Sequence, residues 1–205
     1  YYTLNGTVFS NDNHRYYVTG DIDDVKNITL DEINLVYNTF YHPSNMFLTI
    51  TGNFDPEYLS VVIKENQSNK EFKTYLEPEK IKEKEPEKVA VRGVDIAGNI
   101  ALPKLKLAYK IKKDLFGNLS DLEKLLYVRI ILNANFGTTS ELKERLLESN
   151  LVTKLSTSAT IVGEYLEIVI SAETNYPNEI TKILKETYSN MDITKKRLER
   201  RIRCN

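Results

Sequence analysis

The chain of 205 residues has a single cysteine, no tryptophan and only two histidines. One cysteine, Cys204, excludes an internal disulfide and fits a reducing, cytoplasmic setting. No apolar run is long enough to span a bilayer, so no membrane partner is expected. The first residues, Tyr1 to Gly6, lack the basic-then-apolar order of a secretory signal. There is no initiator Met, and the basic stretch 195–203 reads as a helix interrupted, so both ends are expected to be cuts. Charge of one sign is also missing: 28 basic residues against 29 acidic give a net charge of -1, which does not favour nucleic acid.

The chemistry-bearing motifs are missing too. Neither His14 nor His42 belongs to H-x-x-E-H or H-E-x-x-H, the spacings that bring two imidazoles and an acidic base to one zinc ion. His42 precedes Pro43 at a helix end, where a capping or packing role is expected. His14, in a polar stretch, is expected to be solvent-exposed. No G-x-S-x-G, G-x-G-x-x-G or G-x-x-x-x-G-K pattern occurs. Cys204 sits in a basic tail that can lower a thiol pKa, but no partner for it is evident. The six Lys/Arg of 195–203 are interleaved with Leu and Ile rather than stacking aromatics, so a solvated helix face is expected there. Four N-x-S/T sites, at Asn5, Asn27, Asn66 and Asn118, read as chance in an Asn-rich chain. No catalytic, cofactor-binding or metal-ligating residue is therefore expected.

What is present is a globular composition, 41% hydrophobic, with clear periodicities. The first twenty residues read as loop and extended chain. Thr29 to Glu32 forms a capping box that opens a helix with Ile33, Val36, Tyr37, Phe40 and Tyr41 on one face, ending before Pro43. Residues 46–51 read as a strand ended by Gly52. Asp55-Pro56-Glu57 opens a second helix. Residues 66–88, charged and bounded by Pro78 and Pro86, read as an exposed, mobile linker. Strands are then expected at 89–94 and 104–111, helices at 120–135 and 140–148, a hairpin of 154–162 and 165–172 about Gly163, and a helix at 177–191. Strands with helices on one face make an α+β plan.

Four pieces in order resemble the pitrilysin/insulinase family of zinc peptidases. They are Val18-Thr19-Gly20, Ile28-Thr29-Leu30-Asp31-Glu32-Ile33, Tyr41-His42-Pro43-Ser44-Asn45-Met46 and Gly52-Asn53-Phe54-Asp55-Pro56-Glu57. Gly137-Thr138-Thr139-Ser140-Glu141-Leu142 is similar to the "G-x-S-S-x-L" step of the family's non-catalytic repeat. The resemblance, closest to the bacterial peptidase-like branch, implies α+β repeats with a mostly antiparallel sheet and helices on one face. It implies residues 1–65 as the C-terminal part of a first, catalytic-type repeat, 66–88 as linker and 89–205 as most of a second, non-catalytic repeat. The zinc motif would precede the matched residues, so zinc belongs to the intact parent and not to this chain. The chain would help enclose a peptide substrate without being catalytic alone. Where family members carry a substrate-holding Arg and Tyr, this sequence has Leu146 and Thr153, with Arg145 one place off. Two alternatives stand beside this reading. One is a fragment of an inactive paralogue serving a homologous partner subunit; the other is an unrelated peptide-binding α+β module.

Overall fold

The structure is a computed structural model and describes residues 2–79, 81 and 83–191. The basic stretch 195–203 and Cys204 lie outside the described residues. The chain divides into two compact units, residues 18–81 and residues 1–17 with 82–205.

The larger unit is built on a three-stranded antiparallel sheet in the order β1 (Lys104–Lys112), β3 (Tyr165–Glu173), β2 (Lys154–Val162). Alternation along β1 decides which side faces the core. Leu105, Leu107, Tyr109 and Ile111 lie opposite Ala172, Ile170, Ile168 and Leu166. Leu155 and Ala159 of β2 continue these rows. Helices α5 (Asp121–Phe136), α6 (Glu141–Glu148) and α7 (Pro177–Ser189) supply Val128, Leu132, Phe136, Leu142, Leu146, Ile180 and Leu184 to the same core. Burial of such side chains contributes about 1.5–3 kcal/mol each. Arg129 of α5 donates to the Ala159 carbonyl at 3.2 Å, tying the helix to β2. Tyr109 of β1 stacks on Tyr188 of α7 with ring centroids 3.7 Å apart. This is the expected α+β layout.

Local signals explain the helix ends. Ser120 and Glu123 form a reciprocal capping box that starts α5. The α6 helix ends in a Schellman pair, Leu151 N–H to Leu146 and Asn150 N–H to Leu147. Asn150, with φ of 55°, fills the left-handed position there, a conformation Asn tolerates better than most residues.

The opposite face of the sheet is covered in part by α1 (Tyr2–Val8), in a stretch expected to be loop. Val8 and Phe9 pack with Val162 and Tyr165, which no local sequence pattern announces. Residues 89–94 form no strand: Val91 N–H donates to the Thr7 carbonyl at 2.8 Å, and because Thr7 lies in the α1 helix no strand ladder extends from that bond.

The smaller unit holds α2 (Ile22–Asn27), α3 (Leu30–Phe40) and α4 (Pro56–Ser68). Asp21 with Asp24 and Thr29 with Glu32 cap α2 and α3 as boxes. The α4 helix runs three residues into the stretch read as linker. Residues 46–51 were expected as a strand but pair with nothing among the described residues. No described residue of this unit is buried.

One glycine is required by close approach. A Cβ on Gly137 would lie 2.3 Å from the Asn133 carbonyl oxygen, a backbone atom of the last turn of α5. Gly137→Ala is expected to lower the unfolding free energy of the chain by about 1–3 kcal/mol, measured by urea denaturation; an unchanged midpoint would contradict this packing.

Candidate functional site

The polar face of the sheet carries the densest set of charged and hydrogen-bonded groups in the larger unit. By register it presents Lys104, Lys106, Lys110 and Lys112 of β1 and Tyr165, Glu167, Val169, Ser171 and Glu173 of β3. At its centre Lys110 and Glu85 form an ion pair at 2.6 Å, with side chains only 1% and 8% exposed. Ion pairs are rarely so buried unless every remaining donor and acceptor is used.

That condition is met. The Glu85 carboxylate accepts the backbone N–H groups of Ser10, Asn11 and Asp12 at 2.9, 2.7 and 2.8 Å. Lys110 also donates to the carbonyls of Val8 and Lys88. Its ammonium lies 5.1 Å from the Phe9 ring centroid and 4.7 Å from that of Tyr165, within cation–π range. The Tyr165 hydroxyl donates to the Glu85 carbonyl at 3.0 Å. Burial pushes the Glu85 carboxyl up, but Lys110 and the three N–H donors outweigh it and hold it at about 2. Residue 85 therefore departs from the exposed, mobile linker expected over 66–88: it is clamped to the sheet.

The residues singled out by sequence fall in separate places. His42 caps the short 3-10 helix Pro43–Asn45 by accepting the Ser44 N–H on Nδ1 at 3.1 Å. Its Nε2 meets the Lys73 carbonyl at 2.9 Å and so carries the proton. The ring stacks on Tyr75, 5.1 Å away. This is the capping and packing role expected. His14 is not solvent-exposed as expected: its Nε2 is buried, and its ring packs edge-on to Phe9 at 5.8 Å. The cause is the docking of residues 2–17 on the sheet, a tertiary event. Leu146 is a core residue at 1% exposure. Thr153 donates its N–H to the Glu173 carbonyl at 2.9 Å.

These residues do not fit a zinc site. Both ring nitrogens of His42 are engaged with backbone groups. Among the described residues no three His, Cys, Asp or Glu side chains gather as a metal site would require. A shallow cavity of ≈ 260 Å³ between α5 and β2, lined by Arg129, Leu132, Asn133, Thr157, Ser158 and Ala159, is smaller than ordinary ligand pockets. Among the described residues no helix is long and apolar enough to cross a membrane.

The clamp makes the larger unit acid-sensitive. Because the folded Glu85 carboxyl titrates below its ordinary 4.5, its stabilisation is fully present above pH 4.5 and is lost as pH falls towards about 2. Glu85→Ala is expected to destabilise the chain by about 3–5 kcal/mol by leaving Lys110 buried without its partner. Glu85→Ala with Lys110→Met is expected to recover part of that loss. Urea midpoints at pH 7 and pH 3 check both; equal loss in the single and double variants would contradict the ion-pair account.

The family model described as the Peptidase M16 inactive domain matches residues 27–203. An uncharacterised zinc protease of Bacillus subtilis strain 168, YmfH, is 33% identical over 135 residues, 66% of this chain and 32% of that protein. The crystal structure of an M16-like peptidase from Alicyclobacillus acidocaldarius superposes with a TM-score of 0.83 at 26% identity, over 98% of this chain and 48% of the other. A protease from Helicobacter pylori shares the fold, with a TM-score of 0.68 at 17% identity over 96% of this chain and 47% of that one. The chain thus spans about half the length of these solved relatives and about a third of the curated one. With the inactive-domain match running over most of its length, the chain belongs to the M16, or pitrilysin/insulinase, family of peptidases.

Proposed function

We propose that the chain is a non-catalytic portion of a zinc-dependent M16 peptidase, shaping the chamber that encloses a peptide substrate while the zinc and its ligands come from the rest of the parent. Residues 1–65 are the C-terminal part of the first repeat, 66–88 the linker and 89–205 most of the second repeat. The chain itself contributes no catalytic, cofactor-binding or metal residue.

The observation that carries this reading is the state of residues 18–81. Ile33, Val36, Tyr37 and Phe40 line one face of α3, yet each is at least 46% exposed. Phe47 and Leu48 are 92% and 69% exposed, in an extended stretch with apolar side chains on both sides. A monomeric domain does not leave so large a contiguous apolar surface to water. A strand that is apolar on both faces belongs inside a sheet covered on both sides. This surface is what one half of an α+β repeat presents before its other half covers it. The relatives' extra length is consistent with that missing half. A reducing, cytoplasmic setting fits a chain with one cysteine, and a homologous partner subunit fits the family.

Two measurements test it together. Metal analysis of the dialysed chain is expected to find far less than one zinc per chain, with no cleavage of unstructured peptides. The chain supplied with the preceding half of its parent is expected to gain both. Near-equimolar zinc on the chain alone would overturn the reading. No gain of zinc or cleavage in the reconstituted pair would favour an inactive paralogue instead.

A further inference from the structure

One group on the polar face of the sheet takes no part in the clamp. Glu167, the third residue of β3, is 1% exposed, and neither carboxylate oxygen has a hydrogen-bond partner. Its cross-strand neighbours are Lys110 on β1 and Thr160 on β2. Lys110 cannot serve it, because its ammonium is committed to Glu85 and two carbonyls.

The segment packed over this face brings two further polar atoms that are buried without partners, Asn5 Oδ1 and His14 Nε2. They belong to one folded unit of chain: Asn5 Nδ2 donates to the His14 carbonyl at 3.2 Å, and Phe9 N–H donates to the Asn5 carbonyl at 2.9 Å. Asn5 itself is 1% exposed. Unpaired buried polar atoms thus stand both on the strand and on the segment that packs over its face, where native interiors rarely tolerate them. Burial pushes the Glu167 carboxyl up, while His14 and Lys106 favour its ionised form. The charged and titratable groups facing it are His14 from the segment and Lys106 and Lys110 from β1; β2 presents Thr160.

We propose that Glu167 is a proton-operated latch that docks residues 2–17 on the sheet. A proton held on its buried carboxyl keeps the segment in place. Loss of that proton leaves a bare buried carboxylate without a hydrogen-bond partner beneath the segment, and the segment is released.

The direction with pH follows. A carboxyl whose folded pKa is raised contributes stability fully present below its ordinary 4.5, and this is lost as pH rises through the raised value. That is the reverse of Glu85, whose contribution is lost on the acid side. The segment is therefore held by one residue whose contribution acid removes and by another whose contribution alkali removes. It runs directly into Val18, where the chain enters the smaller unit.

Amide hydrogen exchange at Phe9, in the full chain, reads the latch. After correction for the intrinsic rate, protection is expected to fall about tenfold per pH unit above the ordinary carboxyl value of 4.5, while the folded Glu167 still holds its proton, and to level off once that proton is lost. In Glu167→Gln protection is expected to be independent of pH over the same range. Equal pH dependence in wild type and variant, or none in the wild type, would overturn the proposal. Should Glu167→Gln fail to fold, infrared difference spectra of the wild type decide. A protonated-carboxyl band that disappears at the pH where Phe9 protection levels off supports the latch. Full ionisation of the carboxyls while the segment stays protected would overturn it. Neither outcome depends on whether the parent is an active peptidase.

Discussion

The larger unit depends on a single buried charge pair. Lys110 reaches from near the end of β1 to Glu85, and Glu85 in turn gathers three successive backbone N–H groups of residues 10–12. Three stretches far apart in sequence meet at that point: the N-terminal segment, the end of the charged stretch and an edge strand. Coulomb attraction alone does not justify so buried a pair, since desolvation offsets most of it. What makes it favourable is completeness. The carboxylate has donors on both oxygens, the ammonium has acceptors and two aromatic faces, and Phe9 and Tyr165 exclude water around them. The requirement that all these partners coincide gives the clamp specificity as well as strength. It fixes which part of the N-terminal segment lies on the sheet and where residues 84–88 must run.

The smaller unit shows the opposite condition. Its helices are well capped, with boxes at Asp21 and Thr29 and an Asp55 cap on α4, so local structure is secure. Its apolar residues nevertheless lack cover. Local hydrogen bonding and tertiary burial are separable, and here only the first is supplied within the chain. Under the proposed reading, this bare apolar surface is where the rest of a first repeat would pack. The match to the family's inactive domain belongs to the same account.

Much of this was legible from residue patterns, and the boundary of legibility is physical. The capping box at Thr29 announced α3 within a residue, because caps act over three positions, and the apolar periodicity of 120–135 announced α5. Alternation in β1 named the core side of the sheet, and Gly163, with φ of 56°, marked the hairpin. The family pieces between Val18 and Glu57 pointed to the M16 fold. What could not be read depends on distance along the chain. The Glu85 contacts with residues 10–12 span 73 to 75 positions, and nothing near Glu85 distinguishes it from the other charged residues of its stretch. The α1 helix forms from Tyr, Asn, Gly and Thr, poor helix formers that only packing on Val162 and Tyr165 explains. Residues 46–51 failed as a strand for the converse reason: the pattern was correct for burial, but no partner lies within the described residues. Glu167 carried a weak signal, a carboxylate inside an otherwise apolar strand, Leu166 to Ile170.

The most direct test of the central claim, that the smaller unit is half of a core completed from outside this chain, is backbone amide exchange over residues 46–51. The account predicts rapid exchange in the chain alone and strong protection in the longer parent polypeptide. Equal, strong protection of these amides in the chain alone would show a core already complete and would contradict it.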